Sequence, residues 1–493
     1  MGIDTSTGSF GHQETDLTVQ GGPLPLVFTR YYRGHSDRYG ELGARWTHTY
    51  DTFLGVYANG DVSVVFGSGK EEFFAWDSET QSHAPVDVRV KSSLTKYTNP
   101  PDGVSYRYVT KDNLTYTFEG DGDLISIQDA NGNQLTLYRD GTTELITAVE
   151  DPGGRTIEFA YDANLRLETI TGPDGAVVSY AYDSNGDLTA VDKPEDARTE
   201  YAYSRHRLTE IRQRQGEDLG SSSMVTVLTN TLDAVNRVIA QTDAADETVQ
   251  IAYLTGADQG ITRVTDALAQ DTDFYFDEWA RTTAIALPTS EVLGFLYDDE
   301  GNLETFLDPA NGAYGLAYNG DADPTGYTDP LGTVTSIDVN PEHLADEVVI
   351  DPTGLALTTA YDYDAAGNVI ARTVDPAGLA LTTTIARDGD GNPTTVTVDP
   401  AGLALVTTYT YTDGLVTSKT VDPDDPNRPG AELDLTWTWT SDDAGRMTSE
   451  TDPDGRMTRY EYNLRGQLVR VRVDPAVAEN PLGGAPLDLT TQD

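Results

Sequence analysis

Hydrophobic and polar residues alternate with a period of two over short stretches of this chain. In one such stretch, Val178, Tyr180 and Tyr182 point to one side of an extended backbone, while Ser179 and Ala181 point to the other. This alternation is typical of a β-strand with one buried face. No hydrophobic pattern with the helical period of 3.6 extends over a useful length. The pattern therefore predicts an all-β protein.

Turn-forming residues bound each stretch. Residues 173–175 read Pro-Asp-Gly, in which Pro fixes φ at the first corner and Gly accepts a positive φ. Residues 183–186 end in Asn-Gly, the strongest short signal for a β-hairpin. Leu188 and Val191 then begin a return strand. Each unit of roughly 21 residues is therefore predicted to form one β-hairpin, two strands with a tight turn.

The unit is repeated through most of the chain, and a hairpin repeated in tandem can pair edge to edge into one long sheet. The segment "DPxGLAL" occurs three times in succession, at Asp351, Asp375 and Asp399. In the third copy, Gly402 is expected to take a positive φ. The alternative architecture is a β-propeller, since two units would supply the four strands of a blade. Three similar units in a row argue against it, because alternate units should then resemble each other most.

Composition excludes several classes of partner. The chain has 493 residues, a formal net charge of −49 and no Cys. Such a charge repels nucleic acids and anionic membranes, and the lack of Cys excludes disulfides and thiolate metal sites. No apolar run reaches the 18 residues that a membrane span needs. The first ten residues show no signal-peptide pattern.

Candidate chemistry is sparse, and we assign no catalytic, cofactor-binding or metal-binding residue. Residues 388–399 place Asp388, Asp390 and Asn392 as in a calcium loop, but Pro393 replaces the required Gly. The shorter acidic stretches 121–123 and 321–323 fit turn formation better. Trp437 and Trp439 share one strand face, where sheet packing explains them. The six His residues show no metal-ligand spacing: His12, His35, His48, His83, His206 and His343.

The repeats resemble the Rhs/YD-repeat family, which includes bacterial polymorphic toxins and the YD shell of teneurins. The segments "YDDEGNLETFLDPANG" (297–312) and "YDYDAAGNVIARTVDPAG" (361–378) carry the pattern nearly whole. The N-terminal segments "TSTGSFGHQETDLTVQGGPLPLVFTRYYRG" and "GELGARWTHTYD" resemble the opening of an Rhs shell. Together these matches cover roughly residues 4–475.

The resemblance implies tandem hairpins forming a long sheet that spirals into a hollow shell. It implies an opening or plug segment at 1–77, a repeat array at 78–475 and a polar tail at 476–493, with little for the last strand to pair. The implied function is a structural shell of a secreted or cell-surface polymorphic toxin. Its partner would be a C-terminal effector cargo that this chain lacks, so the chain is expected to be a fragment.

The alternative function is an extracellular repeat module that binds carbohydrate or a cell-surface receptor. Neither hypothesis implies an enzyme, a cofactor, a nucleic-acid partner or a membrane span. We therefore expect a non-enzymatic acidic protein.

Overall fold

The structure is a computed structural model that describes residues 2–97, 104–214, 223–255, 260–423, 433–474 and 487–489. All regular secondary structure in these ranges is β-strand. No helix in them is long and apolar enough to cross a bilayer. The N-terminal strands are β1 Gly11–Val19, β2 Leu26–Arg33, β3 Tyr39–Gly40, β4 Gly43–Ala44, β5 Trp46–His48, β6 Phe53–Val56, β7 Val62–Val65, β8 Glu71–Asp77 and β9 Ser82–Pro85.

A single sheet contains the remaining 35 strands. They are β10 Ser93–Lys96, β11 Val104–Val109, β12 Thr115–Glu119, β13 Leu124–Gln128, β14 Gln134–Arg139, β15 Ile146–Glu150, β16 Thr156–Tyr161, β17 Leu167–Thr171, β18 Val177–Tyr182, β19 Leu188–Lys193, β20 Ala197–Ser204, β21 Arg207–Arg214, β22 Met224–Leu232, β23 Val238–Asp243, β24 Thr248–Thr255, β25 Gly260–Thr265, β26 Asp271–Phe276, β27 Thr282–Ala286, β28 Val292–Tyr297, β29 Leu303–Leu307, β30 Ala313–Tyr318, β31 Pro324–Thr328, β32 Val334–Val339, β33 Ala345–Ile350, β34 Leu357–Tyr363, β35 Val369–Val374, β36 Leu381–Arg387, β37 Pro393–Val398, β38 Leu405–Thr412, β39 Leu415–Val421, β40 Leu435–Ser441, β41 Met447–Thr451, β42 Met457–Tyr462, β43 Leu468–Asp474 and β44 Leu487–Leu489.

Strand order in the long sheet follows the chain from β10 to β44, and neighbouring strands are antiparallel. This order confirms the tandem hairpins. A propeller would divide the strands into separate blades, so that alternative is wrong. The expectation that the tail at 476–493 offers little to pair is also wrong for Leu487–Leu489, which pairs with β43. The rest of that tail lies outside the described residues.

A recurring turn with Asp or Asn at its first position joins many strands. After β16, the Asp162 carboxylate accepts the backbone N–H groups of Asn164 and Arg166 at 2.8 and 3.0 Å. The fourth residue, Leu165, takes the left-handed φ of 62°. The acid is thus a structural acceptor that fixes the turn. The same pair of bonds recurs at Asp129, Asp151, Asp183, Asp233, Asp243, Asp266, Asp277, Asp298, Asp308, Asn319, Asp329, Asn340, Asp364, Asp388, Asp442, Asp452 and Asn463.

The three "DPxGLAL" segments form a different turn, and here one prediction is wrong. The positive φ angles fall on Asp399 (53°) and Ala404 (50°), and Gly402 has none. Ala404 N–H donates to the Asp399 carbonyl at 2.8 Å, and Leu403 N–H donates to its carboxylate at 2.9 Å. Gly402 is needed for space instead, because a Cβ atom there would lie 2.2 Å from Asp399 Oδ2.

A Tyr at the end of one strand ties several of the hairpins to the preceding one. The Tyr161 hydroxyl donates to the Ile146 carbonyl at 2.9 Å, and Tyr182 donates to Leu167 at 2.7 Å. A β-bulge precedes each of these tyrosines, and bulges increase local twist and bending. The repeated bulge therefore bends successive hairpins in the same sense. The same bond is made by Tyr203, Tyr253, Tyr297 and Tyr318.

The sheet curls until turns on one edge meet turns on the opposite edge of later strands. Lys111 Nζ, between β11 and β12, donates to the Asp321 carbonyl at 3.2 Å, although Asp321 lies 210 residues further along the chain.

 The side chain of Arg446, between β40 and β41, pairs with Asp174 at 3.0 Å. We call this line of contacts the seam. Other contacts along it join Asn133 to Asp390 and Asn368 to Asn131.

The seam shows that the sheet winds into a spiral. Turns that meet across it are about 20 strands apart, and strands spaced by about 4.8 Å would then form a ring roughly 30 Å across. The described part of the sheet makes more than one circuit of this ring. The predicted hollow, spiralling sheet is therefore confirmed.

The hydrophobic core is confined to the earlier part of the chain. One cluster of buried side chains runs from Phe10 to Ile251 and joins the N-terminal segment, which we define as residues 2–56, to the first half of the long sheet. Among the described residues after 251, only Phe276 and Ala444 are buried hydrophobic residues. The two parts of the sheet therefore differ in what covers them.

Candidate functional site: the inner face of the sheet

Strands β16 and β17 identify the face of the sheet that the N-terminal segment covers. Ile157, Phe159 and Ile170 are buried on this face. The Phe159 ring centroid lies 5.7 Å from that of Phe28 and 6.3 Å from that of Tyr50. Because the sheet curls around the N-terminal segment, this is its inner face.

A buried ionic cluster fixes the N-terminal segment against the inner face. Arg30 is fully buried and binds the Asp16 carboxylate through Nε and Nη2. Its Nη1 donates to the Tyr201 hydroxyl at 3.2 Å, and its Nη2 donates to Glu14 at 3.2 Å. Lys193 Nζ lies 2.7 Å from Glu14 Oε1 and 3.0 Å from Asp16 Oδ1. Two cations and two anions therefore balance in a site where the Arg30 and Asp16 side chains have no exposed surface.

Neighbouring groups determine the protonation states of the residues in this cluster. Burial raises the pKa of Glu14, but a hydrogen bond from His12 and the charges of Arg30 and Lys193 outweigh it and hold that pKa well below the usual value. Burial raises the pKa of the Tyr201 hydroxyl above its usual value. The carboxylate is therefore ionised and the phenol is neutral at physiological pH.

The N-terminal segment also covers one edge of the early strands. Leu167 N–H donates to the Glu41 carbonyl at 2.8 Å, and Leu54 N–H donates to the Gly122 carbonyl at 2.9 Å. These bonds satisfy backbone groups at turns on that edge, so the segment closes part of one end of the spiral. Further backbone bonds on this edge join Ala44 to Gly186 and Val238 to Gly8.

From β26 onward, no described segment covers the inner face, which carries a ladder of aromatic rings. The ring centroids of Phe295 and Phe306 are 5.5 Å apart, and those of Phe306 and Tyr314 are 5.6 Å apart. Tyr327 continues the ladder at 6.2 Å from Tyr314 and is 39% exposed. The first three rings are half-buried. This surface offers apolar contact to anything held inside the ring.

Further along the same face, two charged residues lie beside the tryptophans. Lys419 pairs with Trp437, and its Nζ lies 5.3 Å from the indole centroid. Glu450 pairs with Trp439 and accepts a hydrogen bond from Tyr460 at 3.5 Å. Both tryptophans are half-buried, and the prediction that they share one face is confirmed. This part of the inner face therefore combines aromatic surface with one charge of each sign.

The acidic residues at the start of the 388–399 stretch form a turn, which strand β37 follows. Asp388 Oδ1 accepts the N–H groups of Asp390 and Asn392 at 3.1 and 2.8 Å. Its carboxylate oxygen is therefore already bonded to the backbone. The interpretation of these acids as turn formers agrees with this geometry.

The seam brings together one group of side chains that sequence spacing gave no reason to join. Carboxylate oxygens of Asp321 and Asp323 and a ring nitrogen of His343 lie within 4.8 Å of one another. His343 Nδ1 lies 2.9 Å from Asp323 Oδ2, and Lys111 Nζ lies 2.5 Å from Asp323 Oδ1. The Lys111 ammonium group already supplies a cation, so the group acts as an ion pair across the seam.

The other histidines occupy structural positions. His48 Nε2 lies 3.2 Å from Glu41 Oε2, and His206 Nδ1 lies 2.8 Å from Asp187 Oδ1. His12 stacks against Phe10, and His83 packs against the indole of Trp76. His35 is exposed.

Comparison with known proteins matches the parts of the fold described above. A family described as RHS Repeat matches residues 145–177, 161–197, 182–218 and 442–476. These ranges contain hairpins of the long sheet. The chain therefore carries RHS repeats over these residues. A second family, described as a domain of unknown function (DUF6531), matches residues 1–74 of the chain. No curated protein matches the sequence of the chain.

Several solved structures are similar to the RHS-repeat chain at low sequence identity. The crystal structure of TcdB2-TccC3-TEV is 12% identical, with a TM-score of 0.46, and the match covers 95% of this chain and 30% of that one. The structure of the Photorhabdus luminescens Tc holotoxin pore is 11% identical, with a TM-score of 0.47, and the match covers 95% of this chain and 30% of that one. The crystal structure of TcdB2-TccC3 is 12% identical, with a TM-score of 0.44, and the match covers 97% of this chain and 31% of that one. The RHS-repeat chain thus spans less than a third of the length of these chains.

Proposed function

We propose that this RHS-repeat protein is a shell segment of a secreted or cell-surface polymorphic toxin, and that it encloses an effector polypeptide supplied by another part of the toxin. The observation that carries the proposal is the contrast along the inner face. The N-terminal segment buries this face around Phe159 and Ile170, whereas the face around Phe306 and Tyr327 lacks such a cover among the described residues.

The chemistry of the uncovered face suits a polypeptide without a fixed shape. Aromatic rings give apolar contact that does not depend on a specific sequence. Hydroxyl side chains such as Thr359 and Thr383 lie between them on the same face and can exchange hydrogen bonds with a backbone. A ring roughly 30 Å across leaves room for an extended or partly folded chain once side chains are allowed for.

In this proposal the domains keep the predicted bounds, with an opening or plug segment at 1–77 and the repeat array at 78–475. The protein would have no enzymatic activity of its own. The alternative function, recognition of a glycan or receptor by the outer surface, is less well supported. Trp437 and Trp439, the two tryptophans that share one strand, are on the inner face.

The absence of Cys gives a direct test of the enclosed face. Thr383 and Thr384 are adjacent residues of β36 that point to the inner and outer faces. Single variants Thr383→Cys and Thr384→Cys should both react with a small maleimide. A maleimide carrying a 5-kDa polymer, roughly as large as the ring is wide, should react with Thr384→Cys and be slowed at least tenfold at Thr383→Cys. Equal rates at both positions would refute an enclosed interior.

Enclosure of cargo is tested separately. An unstructured reporter segment is fused after Asp493, and its digestion by a protease is timed. Protection should be strong in the parent fusion and should fall in a Lys111→Glu/Arg446→Glu variant, because two contacts across the seam would become repulsive. A reporter digested equally fast in both fusions and as a free peptide would show that the ring does not hold cargo.

A further inference from the structure

The rim of the long sheet opposite the N-terminal segment carries a regular row of exposed leucines. Three of them, Leu355, Leu379 and Leu403, are 77%, 85% and 69% exposed and occupy equivalent places in the three "DPxGLAL" turns. A fourth, Leu433, is 64% exposed. We call these four residues the leucine row. Exposed apolar side chains that together form an extended patch mark sites of interaction with other molecules.

The fourth leucine belongs to the row because its turn has the same bonds. Leu433 N–H donates to the Asp422 carboxylate at 3.2 Å, as Leu403 N–H does to that of Asp399. Asp434 N–H donates to the Asp422 carbonyl at 3.0 Å and takes a φ of 46°, as Ala404 does with 50°. The two turns differ in length, yet they present a leucine in the same way.

The turns hold these leucines in place. Leu355 N–H and Leu379 N–H each donate to the carboxylate at the start of their turn at 2.9 Å. The following residues, Ala356 and Ala380, both have a φ of 49°, a left-handed conformation that residues other than Gly seldom adopt. Four turns repeat this uncommon conformation and present the same side chain, so the fold holds the four leucines in a defined geometry.

The spacing of the row sets a requirement on its partner. Successive leucines belong to hairpins two strands apart, so they lie about 9.6 Å from one another along the rim. A polypeptide in the polyproline II conformation advances about 9 Å in three residues and returns to the same side each time. An extended segment with an aliphatic side chain at every third residue therefore matches the row and can follow the curvature of the rim.

Charge adds a second requirement. The four turns place Asp351, Asp375, Asp399 and Asp422 beside the leucines, and residues 351–356, 375–380 and 399–404 contain no Lys or Arg. The whole chain carries a formal charge of −49, which disfavours a second copy as the partner. Basic residues between the aliphatic positions would complement this rim.

We propose that the leucine row is a docking site for an extended, basic segment of another polypeptide, with an aliphatic residue at every third position. The site lies on the outer rim and does not depend on what the ring encloses. It is therefore independent of the proposed shell function.

A labelled peptide of five Leu-Lys-Pro repeats provides the probe, and fluorescence anisotropy measures its binding in 0.15 M KCl. The comparison peptide has the same composition with its leucines grouped at one end. The protein should bind the repeating peptide at least tenfold more tightly. A Leu355→Ser/Leu379→Ser/Leu403→Ser variant should lose this preference while its circular dichroism spectrum stays unchanged, because all three side chains are exposed.

A variant with three exposed apolar residues changed elsewhere, Val88→Ser/Val235→Ser/Leu296→Ser, is the matched control and should keep the preference. Equal affinity for the two peptides, or an equal loss in the control variant, would overturn the proposal. A dimer of the protein that forms in sedimentation experiments and disappears in the leucine variant would also overturn it, since the row would then bind a second copy.

Discussion

Replacing Arg30 with Met tests whether the buried ionic cluster fixes the N-terminal segment. Met has a similar length and no charge, so it keeps much of the contact with the Trp46 ring, which lies 5.0 Å from the guanidinium carbon. Asp16 and Glu14 would then share the ammonium group of Lys193 between them. The substitution removes one partner of a buried pair and leaves an uncompensated charge.

The expected cost follows from the geometry. Asp16 and Arg30 have no exposed side-chain surface, and breaking a buried pair on one side costs about 3–5 kcal/mol. If β2 opens locally, its protection against hydrogen exchange should fall by roughly 10²-fold to a few thousandfold, at about 1.4 kcal/mol per tenfold. Exchange measured by mass spectrometry on peptides that cover Leu26–Arg33 reports this directly.

Two further variants separate the explanations. Arg89→Met removes an exposed Arg that pairs with Asp87, and it should leave exchange in β2 unchanged. Arg30→Met/Asp16→Leu removes both charges and should recover at least half of the lost protection, because no carboxylate is left unpaired at that position. Less than a tenfold effect of Arg30→Met, or no recovery in the double variant, would refute the assigned role.

Three other predictions concern the whole shell, one turn and the seam. Raising KCl from low to molar concentration should raise the melting temperature, because salt screens repulsion within a chain of charge −49, and melting that is insensitive to KCl would contradict this. Gly402→Ala should lower stability in denaturant melts by roughly 1–3 kcal/mol because its Cβ would overlap Asp399, whereas Gly389→Ala, with open space around it, and Asp399→Asn should cost much less. At the seam, burial raises the pKa of Asp323, but hydrogen bonds from Lys111, His343 and Asn319 lower it to about 2. This folded value is below the unfolded value near 3.9, so the stabilisation is present above about pH 4 and is lost as pH falls toward 2. The protection factors of residues 110–114 against hydrogen exchange, measured relative to the intrinsic rate at each pH, should therefore fall as pH drops over that interval, and Asp323→Asn should remove this pH dependence.

Local sequence patterns predicted the hairpins well because each hairpin is specified within its own residues. Alternation places Val178 and Tyr180 on one face, and Asp183 supplies the acceptor for the turn that follows. The conformation of the "DPxGLAL" turn was not accessible in this way. Its Gly is required because a Cβ atom there would overlap Asp399, and one of the left-handed angles falls on Ala404, a residue type that seldom adopts it.

The inner face and the seam depend on contacts between residues far apart in the chain. Lys111 meets Asp323, and Arg30 meets Tyr201, at separations that no repeat period encodes. What fixes them is the curvature accumulated over many hairpins, each contributing a small bend at its bulge. Sequence periodicity therefore predicted that a long sheet exists, but it gave no position at which the sheet would meet itself.

The two parts of the sheet are stabilised by different interactions. Around Phe159, the N-terminal segment buries aromatic and aliphatic side chains, so hydrophobic contact adds to the strand pairing. Around Phe306, the inner side chains remain half-buried, so strand pairing between neighbouring hairpins, the tyrosine hydrogen bonds and the seam contacts supply most of the stabilisation. A polypeptide inside the ring would bury that second surface as the N-terminal segment buries the first. The shell and whatever it encloses would then share one core, and each would add to the stability of the other.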